Sequence, residues 1–216
     1  MSLVEARNAI GFERVRFHGL FDDDMGVVNT AVTRPEVRGS RTPFKYELDF
    51  TKIQTIFDFL IRDANVMPYI ELSFMPGAFA SGKTTYLHYK ARTDPPKNYS
   101  EWGDLMYSFG TFLVDRYGIE NTSKLYFEVW NEPNLKNPLP HILGEFWTGT
   151  QADYFKLFEY TSKALKRVSP RLRVGGPTTS GTPAWIEPFL SYCREKSVSV
   201  DFVSSHAYPS QTQPNA

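Results

Sequence analysis

The 216-residue sequence predicts an α/β fold: a partial (β/α)8 TIM barrel of about five parallel strands with outer helices, one incomplete barrel domain over residues 1–216. Two observations predict it. Strand-like and helix-like segments alternate along the chain, the order required by a parallel sheet covered with helices. Two unusually long connections, residues 19–46 and 74–99, each follow the C-terminal end of a strand-like segment, where such barrels build their sites.

The elements follow in order. Leu3, Ala6 and Ile10 stand at helical spacing and the pattern stops at Gly11. Residues 13–18 read as a strand, and Ile53, Ile56, Phe57, Leu60 and Ala64 mark one face of the next helix. A strand over 68–73 leads to a helix opening at Ser100 as N-cap and running through Trp102, Leu105, Met106, Phe109, Phe112 and Leu113 to Gly118. A strand over 125–130 precedes a helix carrying Tyr154, Leu157, Phe158, Thr161, Leu165 and Val168, closed by Pro170. A short strand over 171–175 follows. Thr182 and Pro183 read as a cap and first helical residue, opening a helix with Ile186, Phe189, Leu190 and Cys193 inward. The last strand is residues 201–206. A closed barrel has eight such units in roughly 250 residues, so this sequence reads as the middle of one, truncated at both ends, with open sheet edges through which copies could pair.

The stretch Tyr126-Phe127-Glu128-Val129-Trp130-Asn131-Glu132-Pro133-Asn134 is the most informative. Strand alternation puts Tyr126, Glu128, Trp130 and Glu132 on one face, toward the barrel interior, and Phe127 and Val129 on the other, under helices. Two acids on one apolar strand need partners or a purpose. Glu128 lies deeper. Glu132 reaches the C-terminal rim, where Pro133 ends the ladder; the turn there allows Asn131 into the same cleft, although alternation alone points it away. Trp130 beside Glu132 helps to desolvate it. Alternation also places Arg16 with His18, Glu71 with Ser73, and Phe202, Ser204, His206 and Tyr208 together. Arg16 is therefore the expected counter-ion for Glu71 or Glu128, holding the strand in place. In the second long connection Tyr86, His88, Tyr89 and Lys90 offer a wall for a ligand.

Phe127 to Asn134 resembles the acid/base strand of the family 39 glycoside hydrolases, the β-xylosidases and α-L-iduronidases. Arg16-Phe17-His18-Gly19 with Asp23-Asp24-Met25-Gly26, Glu71-Leu72-Ser73-Phe74-Met75-Pro76, Phe146-Trp147, Gly175-Gly176-Pro177 and Ser205-His206-Ala207-Tyr208-Pro209 are similar to that family in its order. The resemblance implies Glu132 as general acid/base, Asn131 on the sugar 2-hydroxyl, and His18, Phe74, His206 and Tyr208 around the sugar. It implies a retaining β-xylosidase acting on xylo-oligosaccharides or aryl xylosides, in which a second carboxylate stands about 5–5.5 Å from the acid and attacks the sugar. The family's first strand and its nucleophile, a glutamate ending the seventh strand, match no position here, and the segment between Asn134 and Phe146, with Pro138, Pro140 and His141, is longer than the family pattern. Three readings stay open: hydrolysis with Glu71, Asp23 or Asp24 or an activated water in the missing place, a sugar-binding fragment without turnover, or copies that associate to rebuild the site. An α-L-iduronidase-like hydrolase is the alternative enzyme.

Composition agrees with such a partner. Lysine plus arginine equal aspartate plus glutamate at 24 each, which argues against nucleic acid or an anionic membrane surface. Aromatic residues at 15% suit both a filled interior and stacking on sugar rings. Cys193 is the single cysteine, so no internal disulfide forms; it falls on a buried helix face. The first seven residues lack a signal-peptide pattern and no stretch is long enough to span a bilayer, so a soluble cytoplasmic protein is expected. Asp22, Asp23 and Asp24 lack metal-ligand spacing and read as a loop cap. No metal or cofactor is expected.

Overall fold

The computed structural model of the chain describes residues 2–33, 46–86, 91–136, 145–181 and 183–208. Helix α1 (Leu3–Ile10) opens on a capping box between Ser2 and Glu5 and ends where Gly11 turns left-handed, φ +81°. Strand β1 (Arg14–Phe17) follows. The first long connection contains a 3-10 turn at Asp23–Met25 and an antiparallel pair, β2 (Val28–Thr33) and β3 (Tyr46–Leu48). Helix α2 (Thr51–Asp58) runs on into a π-turn at Phe59–Asp63, and β4 is Met67–Leu72. The second long connection holds another small antiparallel pair, β5 (Thr85–Tyr86) and β6 (Ala91–Arg92). His88, Tyr89 and Lys90 lie outside the described residues.

Helix α3 (Tyr99–Tyr117) begins two residues earlier than its sequence signal, because Asn98 and not Ser100 is the cap: the Asn98 side chain accepts the Ser100 N–H at 2.9 Å. A short helix α4 (Ile119–Thr122) leads to β7 (Tyr126–Val129), then α5 (Gln151–Val168). Strand β8 spans Arg173–Ser180 and is longer than expected, since its pairing with the last strand continues through Gly175-Gly176-Pro177. Pro183 starts a 3-10 turn, Pro183–Trp185, so helix α6 (Ile186–Glu195) begins three residues later than read, and Thr182 lies outside the described residues. In α6 Phe189 and Cys193, four apart, fill the core, while Leu190 is rotated away and 41% exposed; its expected inward position is corrected. Strand β9 (Phe202–His206) is the last element.

Five parallel strands form one sheet in the order β1-β4-β7-β8-β9, so each strand neighbours the next in sequence, as consecutive β/α units require. The register aligns Arg16 with Tyr69, Tyr69 with Tyr126, and Tyr126 with Arg173; one pleat further, Glu71, Glu128 and Gly175 form a row. Outward-facing Ile70, Leu72, Phe127, Val129 and Val174 are buried with Trp102, Phe109, Leu157, Phe158 and Phe189 from the helices. Among the described residues no helix is long and apolar enough to cross a membrane.

Gly175 leaves the interior row open for its neighbour. A Cβ at that position would stand 2.4 Å from the Phe202 carbonyl oxygen and 2.5 Å from its ring. Gly175→Ala is expected to destabilise the fold by about 1–3 kcal/mol through overpacking, read as a lower urea midpoint at unchanged slope.

Candidate active site

The C-terminal end of β7 is where the chain leaves strand geometry. Trp130 and Glu132 have φ +73° and +43°, a left-handed conformation uncommon for residues other than glycine and often found at functional sites. The alternation expected to carry Trp130 and Glu132 onto the Glu128 face therefore stops at Val129. The Tyr154 hydroxyl of α5 donates to the Val129 carbonyl at 3.0 Å, fixing the point of departure. Trp130 turns into the core, fully buried, and its Nε1–H donates to the Phe146 carbonyl at 2.7 Å. The Glu132 N–H donates to the Thr178 carbonyl of β8 at 3.0 Å. Its side chain then crosses to β9, where Oε1 lies 2.9 Å from His206 Nδ1, and the residue is 7% exposed. The acid expected at the rim thus faces the histidine-bearing strand.

Below it lies a charged cluster spanning three strands. The Arg16 guanidinium meets Glu71 through Nη1 at 2.8 Å and Glu128 through Nε at 2.5 Å, and donates from Nη2 to Asn131 Oδ1 at 2.9 Å. The sequence offered Glu71 or Glu128 as its partner; Arg16 takes both. The third contact brings Asn131, 2% exposed, into the cleft that alternation denied it. Arginine only donates, so the oxygen end of the Asn131 amide faces Arg16 and the NH2 end is turned the other way. His18 Nδ1 lies 2.7 Å from Glu71 Oε2, and the Ser73 hydroxyl donates to Glu71 Oε1. The Tyr69 hydroxyl donates to Glu128 Oε1 at 3.3 Å. Burial, reinforced by the Glu128 charge, pushes the Tyr69 phenol well above its usual range, so it remains a donor.

One side of this cleft is aromatic. His18, with a side chain 42% exposed, stacks on Phe146 at 6.0 Å and 24° and tilts toward Phe74 at 6.2 Å. Phe74 and Phe146 are nearly parallel, 9° apart with centroids at 6.0 Å, and Tyr86 meets Phe146 edge-on at 4.7 Å. Phe74 is fully buried and packs edge-on against Trp130 at 5.4 Å; it backs the wall instead of surfacing it. Phe146 was legible only as part of a motif, and its position between His18 and Tyr86 carried no periodic signal. Lys136 reaches Glu145 and the Trp147 carbonyl, each at 2.8 Å. Pro138, Pro140 and His141 lie outside the described residues. Tyr208, beyond the end of β9, is 57% exposed.

The three aspartates after β1 separate in role. Asp23 Oδ1 accepts the Gly77 N–H at 2.7 Å, joining the loops after β1 and β4. Asp22 stands at the cap position of the 3-10 turn, but its side chain makes no capping bond there, so the expected side-chain cap is corrected. It is buried, and its Oδ1 has no hydrogen-bond partner among the described residues. Burial, with the charges of Asp24, Asp23 and Glu71 adding, pushes the Asp22 carboxyl up to about 6, against the Phe74 backbone bond that favours the ion. The native state then holds more protons than the unfolded chain between about pH 4 and 6, and stability falls as pH rises through that window. Asp22→Asn is expected to remove that slope, gaining about 1–2 kcal/mol over wild type between pH 4 and pH 7. Denaturant titrations of both proteins at the two pH values measure it.

The chain is similar to known proteins over almost its whole length. The sequence model described as "Glycosyl hydrolases family 39" matches residues 1–215. The chain is 42% identical over 207 residues to a protein named "Beta-xylosidase" from Caldicellulosiruptor saccharolyticus, covering 96% of this chain and 38% of that protein. It is 43% identical over 213 residues to a "Beta-xylosidase" from Geobacillus stearothermophilus, covering 98% and 39%. The crystal structure of a monomeric beta-xylosidase from Caulobacter crescentus CB15 superposes with a TM-score of 0.80 at 38% identity, over 95% of this chain and 38% of that one. The chain thus spans under two-fifths of the length of the curated relatives it matches. A match over nearly every residue, with the parallel strands in consecutive order, places this chain in glycoside hydrolase family 39, its sheet forming part of a (β/α)8 barrel.

Proposed function

We propose that this glycoside hydrolase chain carries the acid/base side of a retaining β-xylosidase site, acting on β-1,4-xylosides and xylo-oligosaccharides. The observation that carries the reading is the Glu132 carboxyl, turned by a left-handed backbone out of β7, almost fully buried, and held 2.9 Å from His206. A glycosidic bond breaks when its leaving oxygen receives a proton as the anomeric carbon gains positive charge. A positioned carboxyl supplies that proton and later withdraws one from water. Glu132 does both in this reading. Asn131 offers its NH2 donors to the sugar 2-hydroxyl because Arg16 occupies its oxygen. His18 and His206 bound the sugar from two sides, Tyr208 lies at the outer rim, and Phe74 holds His18 and Phe146 in place from behind. Arg16, Glu71, Glu128 and Trp130 are supports. Glu71 is engaged by Arg16, His18 and Ser73 and Asp23 by Gly77, so neither is given the attacking role.

The xylose preference rests on the two relatives named "Beta-xylosidase" at 42% and 43% identity. The test is the full chain acting on 4-nitrophenyl glycosides and xylobiose. β-Xylosides are expected to be turned over fastest, and proton NMR is expected to detect β-xylose before mutarotation. Calorimetric binding of xylobiose without turnover would replace the enzyme with a sugar-binding fragment; α-xylose as first product would exclude retention; preference for an α-L-iduronide would move the substrate.

A further inference from the structure

The turn that carries Glu132 is tied to the ends of two neighbouring strands by contacts that take no part in the proposed chemistry. Asn134 lies two residues beyond Glu132. Its Oδ1 accepts the Ser180 N–H at 2.7 Å and its Nδ2 donates to the Ser180 carbonyl at 3.1 Å. One side chain thereby engages both backbone groups of the last residue of β8. Ser180 is the residue paired with His206, and the Gly181 N–H donates to the His206 carbonyl at 2.7 Å. His206 Nδ1 in turn lies 2.9 Å from Glu132 Oε1. The contacts close a ring: Glu132, His206, the ends of β9 and β8, Asn134, and back along the turn to Glu132.

The other tie between the turn and β8 is a backbone bond, Glu132 N–H to the Thr178 carbonyl, made where the register of β8 against β9 slips and Thr178 adopts φ +55°. It fixes the Cα of Glu132 but leaves the turn free to pivot about it. The Asn134 amide supplies a second anchor on the far side of the pivot. The position demands one acceptor and one donor together. The asparagine amide provides both, whereas an ionised aspartate accepts only and alanine offers neither.

We propose that Asn134 is a positioning residue, whose two-point bond to Ser180 sets the distance between the Glu132 carboxyl and His206. The proposal rests on the reading of Glu132 as the acid/base. A displaced proton donor loses more in the bond-breaking step than in binding. In the full chain, Asn134→Ala is expected to lower kcat on β-xylosides about 10- to 100-fold with KM within about threefold. Asn134→Asp, of the same shape, is expected to show a smaller loss of the same kind and carries the comparison if the alanine variant does not fold.

A second readout needs no turnover. The chain has four histidines, and their ring resonances can be assigned by isotope labelling. Glu132→Gln is expected to displace the His206 ring signals in the wild-type background and to displace them less than half as far when Asn134 is also replaced. Equal displacement in both backgrounds, or a variant with wild-type kcat, overturns the proposal. Reduced displacement in a chain that hydrolyses no β-xyloside would leave Asn134 as the anchor and remove the glycosidase reading instead.

Discussion

Glu132→Ala is expected to lower kcat/KM on xylobiose by about 10^2- to 10^4-fold, the usual worth of a positioned general acid, or roughly 3–5.5 kcal/mol of transition-state stabilisation. Alanine removes the carboxyl and with it the partner of His206. The backbone route into the site is unaffected, because the Glu132 N–H to Thr178 bond is independent of side chain. Alanine at φ +43° is strained no more than glutamate, so the protein should remain folded with its unfolding midpoint near wild type. Xylobiose binding should persist within a small factor, since Asn131 and His18 are held by Arg16 and Glu71 and not by Glu132. Steady-state kinetics and calorimetry on the same preparation check both halves. An unfolded variant, or one with unchanged kcat/KM, would each contradict the assignment.

Arg16→Met is expected to be the most damaging substitution for stability, at about 3–5 kcal/mol. Glu71 and Glu128 are 1% and 2% exposed, and this guanidinium is bonded to both. Methionine replaces only the aliphatic stem and leaves two buried carboxylates facing each other across adjacent strands. Removing one charge should recover part of the loss: Arg16→Met with Glu128→Gln is expected to be more stable than Arg16→Met alone, a non-additivity that neighbours in one ion network show. Folding should therefore suffer first, as fits a counter-ion that holds its strand in place. The contact with Asn131 adds a second effect, because whatever fraction folds has lost the group that orients that amide. Denaturant unfolding of the four proteins of the cycle measures the first effect, and xylobiose affinity of the folded fraction measures the second. A single variant as stable as wild type would refute the network.

The five-strand frame was readable because each strand alternates against a helix with a clear apolar face; Phe127 and Val129 against Leu157 and Phe158 show the pattern at its plainest. What escaped has physical reasons. The middle of β8 runs through Gly175, Gly176 and Pro177, which show no apolar alternation, so its continued pairing with β9 leaves no trace in the pattern. Strands β3, β5 and β6, two or three residues each, are too short to show a period. The site itself depends on φ changing sign at Trp130 and Glu132, and neither residue type announces a left-handed backbone. Hence Glu132 was singled out by its motif alone, while the partnership of Asn131 with Arg16, the stacking of Phe146 and the grip of Asn134 on Ser180 required the folded chain. Arg16 was legible as a counter-ion because one inward-facing cation near two buried acids leaves little choice; its triple contact was not.

The measurement that bears most directly on Glu132 is the dependence of its substitution on leaving-group basicity. If this carboxyl protonates the departing oxygen, Glu132→Ala should depress kcat/KM steeply for xylobiose and alkyl xylosides, whose leaving groups need the proton. It should depress it far less for 2,4-dinitrophenyl β-xyloside, whose leaving group departs as a stable anion. A loss of equal size across the whole series would contradict proton donation by Glu132 and with it the account of this site.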